Sequence, residues 1–240
     1  MNQKENDMLD PIFKGRQYPP DIILWAVRWY CRYPLAYRMV EEMLKERGVA
    51  VDHSTIERWV KVYGPEIEKR LRRQPSHVSS SWRVDETSVK IKGKVHWLYR
   101  AVDGKGNTVD FFLSQTQDKK AAKRFFKKAL KKLSNPTPEK VTTDGHQAYP
   151  WAIKDLKKAK SLKKKVKHRT SKYLNNRIES DHARFKQKLK PMRGFKTFEG
   201  AEKTIAGMEA MLMIKKRQFT HMNHYESEVK FVHSLFEIAA

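Results

Sequence analysis

Cysteine is nearly absent. Cys31 stands alone among 240 residues, so no disulfide can form within the chain. There is no Cys-x-x-Cys pair and no Cys/His cluster with zinc spacing, which removes zinc modules from consideration. Acid is scarce relative to base: 51 Lys and Arg face 27 Asp and Glu, for a formal net charge of +24. Long apolar runs are missing as well. The longest, residues 22–31, is interrupted by Arg28 and is too short to span a bilayer. The first ten residues are polar and lack the apolar core of a secretion signal. These absences lead us to expect a cytoplasmic protein, with access to the nucleoid and no membrane partner.

What is present points the same way. Apolar residues make up 39% of the chain, enough for a packed core. The excess of base draws polyanions and gains from counterion release when they bind. Nucleic acid is the first candidate partner.

Four stretches follow from the pattern of residues. Residues 1–18 form a polar arm. Residues 19–75 read as three helices. Asp21 opens the first, with Ile22, Trp25, Val27 and Trp29 following. A stripe of Ala36, Met39, Val40, Met43 and Leu44 makes the second, closed by Gly48 as a C′ residue. The third starts near Ser54, where Ser54 and Glu57 have capping-box spacing and Asp52 competes as the cap. A tight turn between the second and third helices suggests a helix-turn-helix. His53, Ser54, Thr55, Arg58 and Lys61 then occupy the start and outer face of a recognition helix, where they would meet base edges and phosphates. Residues 65–81 read as a linker, in which Gln74-Pro75-Ser76 and Ser79-Ser80-Ser81 are polar and turn-prone.

Residues 76–217 carry a different pattern. Strands are predicted over 82–91, 95–102 and 108–113, joined by turns at Lys92-Gly93-Lys94 and at residues 103–107. A helix over 119–133, a short strand over 140–143 and a helix over 147–156 follow. Residues 157–172 are crowded with Lys and Arg, a solvated face or a DNA-backbone groove. A helix resumes at Asn176. Phe198, Ala201, Ile205, Met208 and Leu212 mark a long amphipathic helix. Three hairpin-linked strands, a helix, a strand and then helices give the order of an RNase H-like α/β domain. The predicted fold is therefore such a catalytic domain, of the retroviral-integrase type, preceded by an all-α helix-turn-helix domain. Residues 218–240 form a tail with no recognisable pattern.

Three acids stand out. Asp85 lies inside the first strand, Asp144 directly follows the fourth, and Glu179 opens the helix after the basic segment. In that fold order the three converge, and converging carboxylates repel unless divalent cations neutralise them. Local roles compete for each: Asp85 pairing with Arg83 or Lys90, Asp144 capping the next helix, Glu179 completing a capping box with Asn176. Glu86 is expected to point to the opposite face of the strand, and Asp103 to serve a turn.

The blocks Trp-Arg-Val-Asp-Glu-Thr (82–87), Leu-Tyr-Arg-Ala-Val-Asp (98–103), Thr-Thr-Asp-Gly (142–145) and Tyr-Leu-Asn-Asn-Arg-Ile-Glu-Ser-Asp-His (173–182) resemble those of DDE transposases, and most of all the bacterial insertion sequence six family. The resemblance runs from about residue 10 to about 217. It implies catalysis by Asp85, Asp144 and Glu179 with two Mg²⁺ (or Mn²⁺) ions, which these three would also ligate. It implies cleavage and strand transfer of DNA, with a replicative cointegrate as product. The implied partners are the element's terminal inverted repeats, target DNA and further copies of the chain, at least a dimer on DNA. Lys186, two helical turns past Glu179, falls where the family carries a basic residue. His182 and Lys186 are expected near the DNA backbone, with a supporting place behind the carboxylates as the other role for His182 and for His146. Ala183 departs from the arginine expected there. A non-enzymatic regulator using residues 20–72, or a nuclease acting on RNA–DNA hybrids, are the other functions compatible with these elements.

Overall fold

The computed structural model describes residues 10–132, 135–171, 176–192, 194–224 and 227–238. Tyr173, Leu174 and Asn175 of the last motif, and the first half of the N-terminal arm, lie outside them. The chain forms two compact units: residues 1–74 with 202–240, and residues 75–201.

The first unit is helical. Asp10 caps a 3₁₀ turn, Pro11–Phe13, and α1 (Pro20–Arg32), α2 (Tyr37–Lys45) and α3 (His53–Leu71) follow. α2 stops where Gly48 takes φ +74°, letting the amide of Val49 turn back to the Leu44 carbonyl. The cap of α3 is Asp52, whose carboxylate accepts from the Ser54 amide at 2.8 Å. The Ser54–Glu57 box is therefore not used, and Glu57 instead pairs with Lys61. α3 also runs through Gly64-Pro65 to Leu71, where a linker was expected. Ile67 and Leu71, both wholly buried, hold that last stretch helical against proline's missing donor.

α7 (Phe198–Lys215) adds Ile205, Met208, Met211, Leu212 and Ile214 to the core. Its residues from Gly207 to Ile214 are buried on every side, so it is a central helix rather than an amphipathic one. Close approach is obtained with glycine. A Cβ on Gly207 would come within 3.0 Å of the Gly64 Cα and 2.8 Å of Cys31 Sγ. The C-terminal residues close this same unit. Glu228, at the start of α8 (Glu228–Ser234), binds Arg28 and Arg32, and Phe236 packs edge-on against Phe13.

The second unit is built on a five-stranded sheet in the order β3-β2-β1-β4-β5. β1 (Ser81–Ile91), β2 (Lys94–Asp103) and β3 (Thr108–Ser114) are antiparallel, while β4 (Lys140–Thr143) and β5 (Lys167–Thr170) run parallel to β1. α4 (Lys119–Lys131) and α5 (Ala148–Lys158) cover one face over Trp82, Val84, Tyr99, Phe125 and Tyr149. α6 (Asn176–Leu189) packs on the other face, where Arg100 points. This is the RNase H-like arrangement expected from the element order. β5 was not expected: Lys-His-Arg-Thr has no apolar alternation, and its pairing rests on backbone bonds to β4 at the sheet edge. No helix among the described residues is long and apolar enough to cross a membrane.

Candidate active site

The register of the two central strands sets the site. β1 and β4 are paired up to Val84 and Thr143, so the next residues out are Asp85 and Asp144. Asp144 leaves the end of β4 beside Asp85, which lies inside β1 because that strand runs on to Ile91. Asp144 is half-buried, and its Oδ1 accepts from the His146 amide at 3.0 Å. That bond closes a turn ahead of the next helix, whose N-cap is Gln147 with no side-chain cap bond, so the capping role weighed for Asp144 is not taken up.

Asp85 is the more enclosed, with its side chain 17% exposed. Its Oδ1 accepts from the Glu86 amide at 2.9 Å. Burial first, then the charge of Glu86, and further the charges of Asp144 and Glu179, push its carboxyl up to about 7.

Glu86 leaves the strand on the α4–α5 side, as alternation requires, and accepts from Tyr149 Oη and Gln117 Nε2. Burial and the Glu86 charge push the Tyr149 phenol well above its ordinary range, so it remains a donor. One Glu86 oxygen nevertheless comes within 4.8 Å of oxygens of Asp85 and Asp144. The expected opposite face holds for Glu86; what alternation does not convey is that β4 stops beside Asp85, so carboxylates from both faces of β1 come near Asp144.

Glu179 sits in the first turn of α6 and is exposed. It is not among the three residues that lie within 4.8 Å of one another, although its charge is felt at Asp85. α6 turns Ile178, Asp181, His182 and Phe185 inward. Arg100, opposite Asp85 in the β1–β2 ladder, donates to Asp181 at 2.7 Å and lies over the Phe185 ring at 5.2 Å. Arg100 and Asp181 were missed from sequence. The available signal was a cation between Tyr99 and Ala101, in the middle of a strand.

His182 is 7% exposed, so it faces the carboxylates rather than a DNA backbone. Its Nδ1 lies 3.6 Å from Asp85 Oδ2, and its Nε2 is buried without a hydrogen-bond partner. Burial, then the charge of Arg100, holds its pKa down to about 3. The imidazole is neutral. Lys186 is exposed on the outer side of α6.

Carboxylate oxygens alone make up this donor set, and one of them is reluctant to ionise without a counter-charge. That chemistry fits a hard divalent cation and does not fit zinc.

The residues expected at the recognition helix lie in the helical unit. Ser54 and Arg58 are exposed, and Arg58 donates to Thr55 Oγ1 at 2.8 Å. Lys61 is held by Glu57 at 2.6 Å. His53 Nδ1 sits 3.2 Å from Glu41 Oε2, which joins α2 to the start of α3.

A family model described as "DDE domain" matches residues 79–218. The transposase for the insertion sequence-like element IS431mec of Staphylococcus aureus is 38% identical over 213 residues, 89% of this chain and 92% of the relative. The transposase for insertion sequence element IS257 in transposon Tn4003 of Staphylococcus aureus gives the same identity and coverage. Among solved structures, the catalytic core domain of HTLV-2 integrase is similar over 55% of this chain and 86% of its own, with 16% identity and a TM-score of 0.40.

Proposed function

This chain belongs to the insertion sequence six family of DDE transposases, and we propose that Asp85, Asp144 and Glu179 are its catalytic carboxylates. The observation that supports this most is the meeting of Asp85, inside β1, with Asp144, at the end of the adjacent parallel strand β4, their oxygens within 4.8 Å and the Asp85 carboxyl pushed up to about 7. Glu179 stands in the first turn of α6, and its charge helps to raise the Asp85 carboxyl. Glu86, fixed by Tyr149 and Gln117, adds negative charge beside them.

The cofactor proposed is Mg²⁺ or Mn²⁺, two ions per site. The chemistry such ions supply when bound is Lewis acidity at the attacking and leaving oxygens of an in-line phosphoryl transfer. The reaction is hydrolysis of a phosphodiester at the element end, which leaves a 3′-OH. That hydroxyl then attacks a target phosphodiester, so one P–O bond forms as another breaks. No covalent protein–DNA intermediate is needed, and no Ser or Tyr nucleophile is assigned. His182, neutral and buried, positions Asp85. Lys186 and the basic residues of 157–171 hold the DNA backbone.

The helical unit is proposed to read the terminal inverted repeats through His53, Ser54, Thr55, Arg58 and Lys61. Two ends must be joined to one target, which calls for at least a dimer on DNA. A replicative cointegrate is the proposed product, in the cytoplasm.

Strand transfer in vitro tests this reading. Purified protein, Mg²⁺ or Mn²⁺ and labelled element-end DNA are compared with Asp85→Asn, Asp144→Asn and Glu179→Gln. Metal-dependent cleavage and joining, lost in all three while end binding survives, is the expected result. Specific binding without chemistry under either metal would support a regulator instead. Full activity in any one variant would remove that residue from the triad.

A further inference from the structure

The outward side of α5 carries an unusual exposed ring. Trp151 is 52% exposed, although a tryptophan gains most by burial. Two ammonium groups attend it: Lys119 Nζ and Lys154 Nζ each lie 5.5 Å from its centroid. Lys119 also reaches Asp155, which it shares with Lys123. Asp155 is the one acid within α5, and those two lysines neutralise it.

Lys154 faces a second feature. One turn further along, a pocket of about 400 Å³ opens between α5 and β5, with Pro150 and Ile153 beside Lys154, Lys157, Lys158 and Lys164. Among the described residues, its lining includes no carboxylate. His168, also in the lining, bonds Thr143 Oγ1 at 2.9 Å, and Thr143 immediately precedes Asp144. The pocket therefore sits one strand away from the candidate catalytic carboxylates.

A plain run of lysines suits any polyanion. A lysine-lined pocket with an apolar wall, sharing Lys154 with an exposed indole, is more selective. Duplex DNA offers phosphates but keeps its base faces stacked. Unpaired DNA offers both phosphates and free base faces, and aromatic platforms beside cationic grooves bind such strands. The two lysines over Trp151 are flexible, so a phosphate can draw them off the ring and leave it open to a base.

We propose that Trp151, with Lys154, Lys158 and Lys164, forms a seat for an unpaired segment of DNA, the indole stacking on a base and the lysines taking the neighbouring phosphates. This rests on the reading of the chain as a DNA strand-transfer enzyme and names the state of the strand it holds. Hydrolysis of one strand leaves a nick, and the freed strand end beside it supplies an unpaired segment once it frays.

The test is anisotropy of a fluorescein-labelled oligothymidylate and of a random-sequence duplex, titrated with full-length protein in EDTA. Trp151→Ala is expected to weaken single-strand binding roughly tenfold while leaving duplex binding unchanged. Trp151→Phe, which keeps a stacking face, is expected to recover most of the loss. Lys154→Gln with Lys158→Gln is expected to lower the slope of log K against log salt on the single strand by about 0.7 per contact removed. Equal weakening on both DNAs, or wild-type single-strand binding in Trp151→Ala, as for a ring that seats a protein partner, would overturn the proposal. The assay contains no divalent metal and reads no chemistry. Its failure leaves the carboxylate assignment standing, and inactive strand transfer leaves the seat standing.

Discussion

The guanidinium of Arg100 lies 2.7 Å from Oδ2 of Asp181, and both side chains are almost wholly buried, at 1% and 6% exposed. The pair ties the middle of β2 to α6 one half-turn beyond Glu179. Contact with Phe185, a turn further on, fixes the helix at a second point. Together they set the rotation of α6 and so the direction from which Glu179 arrives.

Breaking that pair is expected to be costly. Arg100→Met leaves Asp181 charged and buried, with an expected loss of about 3–5 kcal/mol. Urea denaturation measures this. Arg100→Lys keeps the charge without the planar fork and is expected to fold, yet to lose strand transfer more than end binding. Equal losses of both in Arg100→Lys would remove the positioning role.

Asp85 gives a prediction with a definite sign. Its carboxyl is raised to about 7 in the folded chain, against an ordinary value near 3.8. The folded state therefore holds this proton more tightly than the unfolded state does. The metal-free protein gains stability as pH falls from about 7 towards 4, and the ionised carboxylate weakens it above 7. Asp85→Asn is expected to stabilise the metal-free protein at pH 8 by roughly 1–3 kcal/mol. The gain should fade towards pH 5. Denaturation at the two pH values in EDTA checks both.

Tyr149 supports the third carboxylate of the cluster. Tyr149→Phe removes one of the two donors to Glu86 and is expected to cost about 1–2 kcal/mol. Mn²⁺ binding, read by calorimetry, is expected to weaken as well. Unchanged Mn²⁺ affinity in both Tyr149→Phe and Glu86→Gln would show that Glu86 contributes nothing to cation binding.

The helix crossing at Gly207 is tight enough to be tested by a single methyl. Gly207→Ala places a Cβ 2.8 Å from Cys31 Sγ and 3.0 Å from the Gly64 Cα, an expected cost of about 1–3 kcal/mol. Cys31→Ala clears the sulfur but not the backbone, so the double variant should recover only part of the loss.

These positions also mark how far the sequence could be read. The first three strands of the mixed unit are legible because β-branched and aromatic residues crowd between turn-forming Gly, Asp and Asn, and Asp144 is legible because a short β run ends on it. Gly48 announces its turn. Arg100 is harder, since a buried cation makes sense only once Asp181 is known to lie over it. A linker from residue 65 takes the last turns away from α3, because local rules do not show that Ile67 and Leu71 are wholly buried. α7 was given one apolar face, although its last eight core positions are buried all round. β5 has no pattern of its own and exists through β4.

The path of the chain through its two units has a practical consequence. Residues 1–74 are completed by 202–240, and the boundary falls inside α7, whose Gly207 closes on Gly64. In gene-architecture terms, the sheet-bearing unit is an insertion inside the helical one. A fragment ending after residue 74 would lack its own central helix and should be insoluble or molten. Exchanging the helical unit between relatives therefore needs two crossovers rather than one, and a frameshift anywhere in the inserted unit removes the closing segment of the helical unit together with the sheet.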